Sequence, residues 1–362
     1  MKTEKLINIL KIIFLIIAVY FFLVSIKLLG TSLKMFGGGF ARALLMTTSN
    51  PFTGLLIGIL TTSLVQSSSM TTSIVVGLVG DSILSLRNAV PIVMGANIGT
   101  TVTNTIVSMG HITRKTEFRR AFASATVHDF FNILAVCVLF PLEVGFHIIE
   151  KSAVMVSKVF SEVGGTKIFD PIKVVVNPII YFLKEHLHSP LILLIIAILL
   201  LFFSLTFMIR VIRSLILKKM EIFLNKYLFK SDLTSFILGI IFTAIVQSSS
   251  ITTSLVVPLA GAGILTVRKI FPYTLGANIG TTVTALLASF ATFNPVAVTV
   301  AFSHLLFNIF GIIIFYPLNK IPVSIAEGFA KITTRSKRNT FLFVILYFSI
   351  YIFFSQPLSC WF

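Results

Sequence analysis

The sequence predicts an all-α polytopic membrane protein built from two inverted-topology repeats, each with a re-entrant helical hairpin and a broken helix. Of its 362 residues, 56% are hydrophobic and 11% charged, and the mean hydropathy is +1.01. A soluble domain would carry about a quarter charged residues. Several apolar runs approach the ~20 residues that a membrane-crossing helix needs. In addition, two parts of the chain repeat each other closely.

Apolar runs of two kinds define the predicted helices. Two segments, 40–80 and 232–262, are apolar but interrupted by Gly, Ser, Thr and Pro. Backbone breaks at membrane depth persist only inside protein or beside a watery cavity, so we expect hairpins that enter the membrane and return. A more polar stretch, 143–189, predicts a loop with interfacial helices. Seven continuous runs are predicted to cross completely: 12–29, 88–110, 118–140, 190–209, 270–290, 296–316 and 340–358.

Basic residues flank the spans and predict their orientation. In this arrangement the basic segments lie on one side, with the N-terminus cytoplasmic and the C-terminus outside a cell membrane. The net charge of +17 therefore reports topology, and no nucleic-acid partner is expected. The predicted division is 1–39 (N-terminal transmembrane helix), 40–141 (repeat 1), 142–231 (connecting loop and transmembrane helix), 232–317 (repeat 2) and 318–362 (cytoplasmic segment and C-terminal transmembrane helix).

The internal repeat is strong. Residues 62–80 and 243–261 are identical at thirteen of nineteen positions, at an offset of 181, and residues 91–103 match 272–284 at ten of thirteen. A weaker match, after a five-residue slip, pairs His128 and Asn132 with His304 and Asn308. Three predicted crossings separate the copies, so the second is upside down. Inverted repeats with broken helices characterise secondary transporters, whose sites lie between the repeats near the midplane.

Each predicted hairpin carries a GlnSerSerSer sequence. Hydroxyl and amide groups donate hydrogen bonds to an anion, and exposed N–H groups at a helix start add further donors. Two such clusters facing each other would surround a small tetrahedral oxyanion. Close packing of small residues between helices is the alternative interpretation. The residues are Gln66, Ser67, Ser68, Ser69, Gln247, Ser248, Ser249 and Ser250.

A second repeated motif, GlyAlaAsnIleGlyThrThr, occupies 95–101 and 276–282. Local unwinding at its glycines would free carbonyl oxygens which, with Asn97 and Asn278, suit Na⁺; close helix packing is the alternative. Asp129 lies within an apolar run, where a carboxylate is costly and becomes a candidate Na⁺ ligand or proton carrier. A buried structural partner is its alternative role.

His128 and His304 are expected to have structural hydrogen-bonding roles. Arg119 and Arg120 are expected to anchor the cytoplasmic end of their helix, with a role in anion exit as the alternative.

At these motifs the chain resembles the type II sodium-dependent phosphate cotransporters, over about 40–141 and 233–317 and including residues 117–132. The resemblance is to a bacterial member, since the large loop of the animal proteins is missing between the repeats. It implies sodium-driven uptake of inorganic phosphate, with both GlnSerSerSer hairpins forming the phosphate site. An acid at position 129 further implies electrogenic transport. The sodium site implied by the family consists of Gln247, Ser248, Thr284, Thr105, Asp129 and Asn132.

The same motifs are compatible with other functions. The motif chemistry also suits another oxyanion such as sulfate, and Asp129 with His128 could couple transport to protons. A membrane sensor that binds phosphate without moving it would carry the same motifs. A serine hydrolase is disfavoured because adjacent helical residues point about 100° apart, so His128 and Asp129 cannot line up as a relay. We expect no enzyme activity, no cofactor besides the coupling ion Na⁺, no transition metal, and phosphate and the lipid bilayer as partners. No oligomeric state is predicted.

Overall fold

The computed structural model describes residues 2–100, 102–162, 169–227 and 231–355, and within these residues all regular structure is helical. The helices are α1 (Lys2–Met35), α2 (Gly38–Thr48), α3 (Pro51–Val65), α4 (Ser68–Gly80), α5 (Leu86–Gly99), α6 (Val102–Met109), α7 (Lys115–Phe146), α8 (Ile148–Glu162), α9 (Phe169–His186), α10 (Pro190–Tyr227), α11 (Asp232–Val246), α12 (Ser249–Ser254), α13 (Val257–Gly261), α14 (Val267–Thr292), α15 (Pro295–Phe315), α16 (Lys320–Thr333) and α17 (Lys337–Ser355).

Six segments of the described chain are long and apolar enough to cross a membrane, which confirms a multi-pass helical protein. They correspond to six of the seven predicted crossings: Ile9–Met35, Leu86–Met109, Lys115–Phe146, Pro190–Leu215, Val267–Thr292 and Pro295–Phe315. The seventh, 340–358, falls on α17, and its last residues lie outside the described chain. The predicted connection 143–189 holds α8 and α9, with 163–168 outside the description.

Both predicted hairpin segments contain helices joined by a sharp turn, and the two turns lie at equivalent residues. Gln66 ends α3 and Gln247 ends α11, each in the left-handed region, with φ of 55° and 61°. The serine that follows, Ser67 or Ser248, caps the return helix by accepting a backbone N–H three residues on, at 3.2 and 3.4 Å. A left-handed end followed at once by a serine cap reverses the chain and satisfies the freed backbone groups.

The GlyAlaAsnIleGlyThrThr segments lie on the helices that pack against the hairpins, α5 against α3 and α14 against α11. In the first copy α5 ends at Gly99 and α6 begins at Val102, with Thr101 outside the described residues. The prediction of a break in the second copy is wrong, because α14 runs through it without interruption. The glycines instead allow close packing: a Cβ at Gly95 would lie 2.0 Å from the Leu55 carbonyl, and one at Gly276 lies equally near that of Phe236.

Two apolar cores flank the hairpins. One joins α1, α4, α10 and α14 through side chains such as Phe22, Val76 and Leu201. The other surrounds α7, where Phe122 and Phe131 pack with residues of α14 and α15. These cores hold the hairpin tips between the two halves of the chain.

Candidate transport site

The tips of the two hairpins meet in the interior. Ser69 Oγ donates a hydrogen bond to the backbone carbonyl of Gln247, 3.3 Å away in the opposite hairpin. Ser250 Oγ, its equivalent in the second copy, donates to the carbonyl of Thr100 at 3.1 Å, where α5 ends. These two serines are buried, and so are Ser68 and Ser249. The two GlnSerSerSer sequences that the chain separates by 181 positions are thus brought together.

The side chain of Gln247 is held by neighbours on both sides. Thr284 Oγ1 donates to Gln247 Oε1 at 2.6 Å, and Gln247 Nε2 donates to the carbonyl of Ala244. Two of the residues that the family resemblance assigns to sodium are therefore in direct contact, beside the tip that also carries Ser248. Their oxygen atoms are the ligand type that hard cations prefer.

A second polar cluster joins the two copies of the GlyAlaAsnIleGly motif. His128 Nε2 lies 2.5 Å from Asn278 Oδ1, and His304 Nε2 lies 3.2 Å from Asn97 Oδ1. Asn132 donates to the Asn97 carbonyl at 2.9 Å and accepts from Asn278 Nδ2 at 2.8 Å. All five side chains are buried, with at most 3% of their surface exposed. Each histidine thus bonds the asparagine of the opposite copy.

The sodium ligands predicted from the sequence therefore fall into two groups. Gln247 and Thr284 contact each other at the second hairpin tip, whereas Asn97, Asn132 and Asn278 form the cluster between the copies. Asp129 lies on α7, between His128 and Asn132 in the chain, and Thr105 is buried on α6. Hydrogen bonds among the described residues do not connect Thr105 to either group.

Sequence reasoning missed a further contact of the second hairpin. Asn104, on α6, donates to Thr253 Oγ1 at 2.8 Å and accepts from it at 3.1 Å, so it ties α12 to the first half of the chain. Thr253 has an equivalent in Thr72, but Asn104 aligns with Ala285 at the same offset. The repeat could therefore not reveal Asn104; its polarity within an apolar segment was the available signal.

The far ends of the hairpins are also held by the opposite half of the chain. The carbonyl of Gly80, at the end of α4, accepts from Asn294 Nδ2 at 2.7 Å. The equivalent carbonyl of Gly261, at the end of α13, accepts two hydrogen bonds from Arg120, from Nε at 3.1 Å and Nη2 at 2.8 Å. Asn294 precedes α15 and Arg120 lies in the first turns of α7, so the two arrangements correspond.

Arg119 and Arg120 line a cavity of about 330 Å³ together with Glu327 and Lys331 of α16. Three cationic groups and one carboxylate give this cavity a positive balance. Arg120 also holds the second hairpin, so its role extends beyond the anchoring expected from the sequence.

A cluster of carboxylates and a histidine lies near the start of α8. Glu143, His147 and Glu150 could place ligand atoms within 4.8 Å of one another. However, Glu143 accepts the backbone N–H groups of Ile149 and Glu150, and His147 Nε2 is 2.6 Å from an Arg87 guanidinium nitrogen. Glu143 therefore caps α8 and Glu150 forms an ion pair with Arg87 at 3.7 Å, which accounts for the cluster without a metal.

Both halves of the chain are similar to a known protein family. The family model described as Na+/Pi-cotransporter matches residues 21–156 and 200–335, one match for each half. The chain belongs to this family. Both matches contain a hairpin and its GlyAlaAsnIleGly helix, so the family pattern itself occurs twice.

Among curated proteins, sodium-dependent phosphate transport protein 2B of Homo sapiens is 31% identical over 438 residues, which cover 93% of this chain. Sodium-dependent phosphate transport protein 2A of Ovis aries is 31% identical over 425 residues, or 94% of this chain. The chain spans 64% and 66% of the length of these two relatives. No solved structure matches the chain.

Proposed function

We propose that this protein is a secondary active transporter that moves inorganic phosphate into the cell together with Na⁺, by alternating access. The observation that carries the proposal is the contact between the two GlnSerSerSer tips, where Ser69 of one hairpin bonds the Gln247 carbonyl of the other. The proposal is supported by family membership and by the names of the relatives, which are described as sodium-dependent phosphate transport proteins. In this proposal the protein transports its substrates and catalyses no reaction.

The phosphate site in this proposal lies at the two tips. Its donors are neutral hydroxyl and amide groups, which can bind a phosphate oxygen and still release it, whereas a cluster of arginines would hold the anion too tightly. The buried position of Ser68, Ser69, Ser249 and Ser250 removes competing water, which strengthens hydrogen bonds to an anion. The residues assigned are Gln66, Ser67, Ser68, Ser69, Gln247, Ser248, Ser249 and Ser250.

Sodium in this proposal binds beside the second tip. The Thr284–Gln247 contact supports it, because those oxygen atoms already face each other at 2.6 Å. Asp129 supplies the negative charge that makes transport electrogenic. The remaining ligands proposed are Ser248, Thr105, Asn132, Asn97 and Asn278, for which a rearrangement of the cluster between the copies is required.

The inverted orientation of the repeats is part of the proposal. Three candidate spans separate the two hairpins in the chain. With the N-terminus in the cytoplasm, the predicted crossings place the connection 291–295 outside and the connection 111–117 in the cytoplasm. The end of the first hairpin contacts Asn294 in the former, and the end of the second contacts Arg120 close to the latter. Opposite ends facing opposite loops support hairpins that enter from opposite sides, with the N-terminus in the cytoplasm.

Labelled-phosphate uptake into proteoliposomes tests the proposal, with an inward Na⁺ gradient compared with a matched K⁺ gradient at clamped voltage. We expect Na⁺-dependent accumulation that falls at least tenfold in Ser68→Ala and in Ser249→Ala. Asp129→Asn should lose the voltage dependence. Ser161→Ala is the matched control, because its hydroxyl donates to the Ser157 carbonyl of its own helix α8, away from both hairpin tips.

Competition separates the remaining candidates. Unlabelled sulfate that inhibits better than phosphate would make another oxyanion the substrate, and uptake that follows pH while ignoring Na⁺ would replace sodium by protons. Binding of phosphate without accumulation would indicate a sensor. Folded protein with neither uptake nor binding would refute the proposal.

A further inference from the structure

The buried cluster between the two copies is approximately symmetric, but only some of its hydrogen bonds follow that symmetry. An offset of 181 relates Asn97 to Asn278, and an offset of 176 relates His128 to His304 and Asn132 to Asn308. The crossed pairs His128–Asn278 and His304–Asn97 obey this relation: each histidine contacts the asparagine of the other copy. The cluster therefore lies on an approximate two-fold axis between the halves.

The asparagines Asn132 and Asn308 break this symmetry. Asn132 reaches across, accepting from Asn278 Nδ2 and donating to the Asn97 carbonyl. Asn308 turns back and donates to the His304 carbonyl of its own helix at 3.0 Å. As a result, Asn308 Oδ1 and Asn97 Nδ2 are both buried without a hydrogen-bond partner.

His128 Nδ1 and His304 Nδ1 are unpartnered in both halves alike, whereas the two asparagine atoms correspond to two atoms that are bonded in the other half. Asn97 Nδ2 is equivalent to Asn278 Nδ2, and Asn308 Oδ1 is equivalent to Asn132 Oδ1. Asn278 Nδ2 donates to Asn132 Oδ1 at 2.8 Å, whereas Asn97 Nδ2 and Asn308 Oδ1 are both open. An open donor and an open acceptor in one buried cluster are costly, and a buried polar group is normally paired. Their cost is removed if the two atoms bond to each other.

We propose that Asn132 and Asn308 form an alternating latch: in the structure Asn132 is closed across the copies and Asn308 is open, and in the opposite state of the transport cycle the roles exchange. There, Asn308 accepts from Asn97 Nδ2 and donates to the Asn278 carbonyl, while Asn132 turns back to the His128 carbonyl. Both asparagines are positioning residues, since each acts through the helices it joins. The inference rests on the proposed alternating access.

This latch has a physical advantage for a carrier. Both states make the same kinds of hydrogen bond, so neither is greatly favoured before cargo binds, and binding energy can decide between them. An intermediate with both latches open would leave two sets of buried polar atoms without partners. That penalty makes the exchange behave as a two-state switch. The crossed His–Asn pairs remain in both states and act as its pivot.

Electron–electron distance measurements in the full chain test the latch without relying on transport. Spin labels are attached at Ser82, beyond the end of α4, and Glu185 of α9, and at Ala262, beyond the end of α13, and Glu327 of α16, with Cys137 and Cys360 replaced by Ser. These four label positions are exposed in the structure. Populations are measured in K⁺, without Na⁺ or phosphate, so that changes in cargo binding do not contribute.

We expect Asn308→Ala to raise the ratio of the population with the distances of this structure to the alternative population by roughly fivefold, and Asn132→Ala to lower that ratio by about the same factor, the effect of one buried hydrogen bond. The double variant should return close to the original ratio, because both states then lack their latch. Asn319→Ala, which removes only a hydrogen bond to the nearby Tyr316 carbonyl, should have no effect.

The latch is overturned if both single variants shift the population ratio in the same direction, or if neither shifts it. It is also overturned if the double variant does not restore the original ratio. The variants Asn132→Ser and Asn308→Ser provide a second pair if an alanine variant does not fold, and the same opposite shifts are required of them. Opposite shifts in a protein that fails to accumulate phosphate would retain the latch and refute only the proposed function.

Discussion

The two hairpins have nearly the same tips but differently held far ends. At the tips both use a left-handed Gln followed by a capping Ser. At the end of the first, Asn294 bonds the Gly80 carbonyl, and the next residue, Asp81, is buried and ion-paired with Lys34 at 2.7 Å and with Lys27 at 3.5 Å. At the end of the second, Arg120 bonds the Gly261 carbonyl directly, and the next residue is the uncharged Ala262.

The duplicated sequence therefore specifies the tips, while the far ends depend on the helices that surround them. Asp81 places a negative charge at a helix C-terminus, which is unfavourable unless cations compensate it. Two lysines of α1 do so. The second copy has Ala262 at this position, and a cation contacts the helix end directly. Substitutions at these contacts measure how much each one contributes to the stability of its hairpin.

Removing both lysines should destabilise the first hairpin most. Lys27→Met with Lys34→Met leaves Asp81, whose side chain is 2% exposed, without a cation. We expect a loss of about 3 kcal/mol in the free energy of unfolding, since an uncompensated buried charge is expensive. Thermal unfolding in detergent measures it. Adding Asp81→Asn should restore most of the loss, and Lys158→Met, at an exposed pair, should change little. A triple variant no more stable than the double would contradict this account.

Arg120→Met should loosen the second hairpin. The carbonyl of Gly261 loses two charge-assisted hydrogen bonds, and we expect a cost of about 1.5 kcal/mol. Hydrogen exchange of α12 and α13 should accelerate, while α4 stays protected. The adjacent Arg119→Met is the matched control for loss of charge. Equal acceleration in both variants would mean that net charge, and not the Gly261 contact, stabilises this end.

Asn294→Asp should have a smaller effect at the end of the first hairpin. The variant keeps the oxygen that caps α15 but replaces the amide donor that bonds Gly80, so we expect a loss of about 1 kcal/mol. Hydrogen exchange at the end of α4 reports it. Asn50→Asp is a close control, because Asn50 caps α3 in the same way before a proline. Unchanged hydrogen exchange in Asn294→Asp would show that the contact between Asn294 and the Gly80 carbonyl does not stabilise this end.

Thr284→Val should have the smallest effect on stability and a specific effect on sodium. It removes the hydroxyl that bonds Gln247 Oε1, at a cost of ~0.5–1 kcal/mol. In the uptake assay it should raise the Na⁺ concentration for half-maximal rate at least threefold, with a smaller change in the phosphate KM. The equivalent Thr103→Val in the first copy should affect sodium less. A larger effect of Thr103→Val than of Thr284→Val on the Na⁺ concentration for half-maximal rate would place the sodium site at the first tip.

Much of this structure was predictable because it depends on local sequence. Continuous apolar runs have few alternatives to membrane helices, and six of the predicted crossings appear as candidate spans. The GlnSer turns were also predictable, since a break within an apolar segment requires polar groups that satisfy the backbone. The break expected in the second GlyAlaAsnIleGly helix was wrong because glycine permits both unwinding and close packing, and the neighbouring helix α11 decides between them.

The contacts between the halves could not be predicted in the same way. Asn132 and Asn308 occupy equivalent places in the two copies, yet one reaches across and the other turns back. Arg120 had the sequence pattern of an interfacial anchor, and its contact with Gly261 joins positions 141 residues apart.

The sequence alone determined the membrane class, the repeat and the position of the hairpin turns, because composition, periodicity and helix capping act over a few residues. Which equivalent atoms pair and how each hairpin end is held depend on the tertiary structure. Where the two copies share the same local sequence, they differ through the atoms that surround them, and those atoms come from distant parts of the chain.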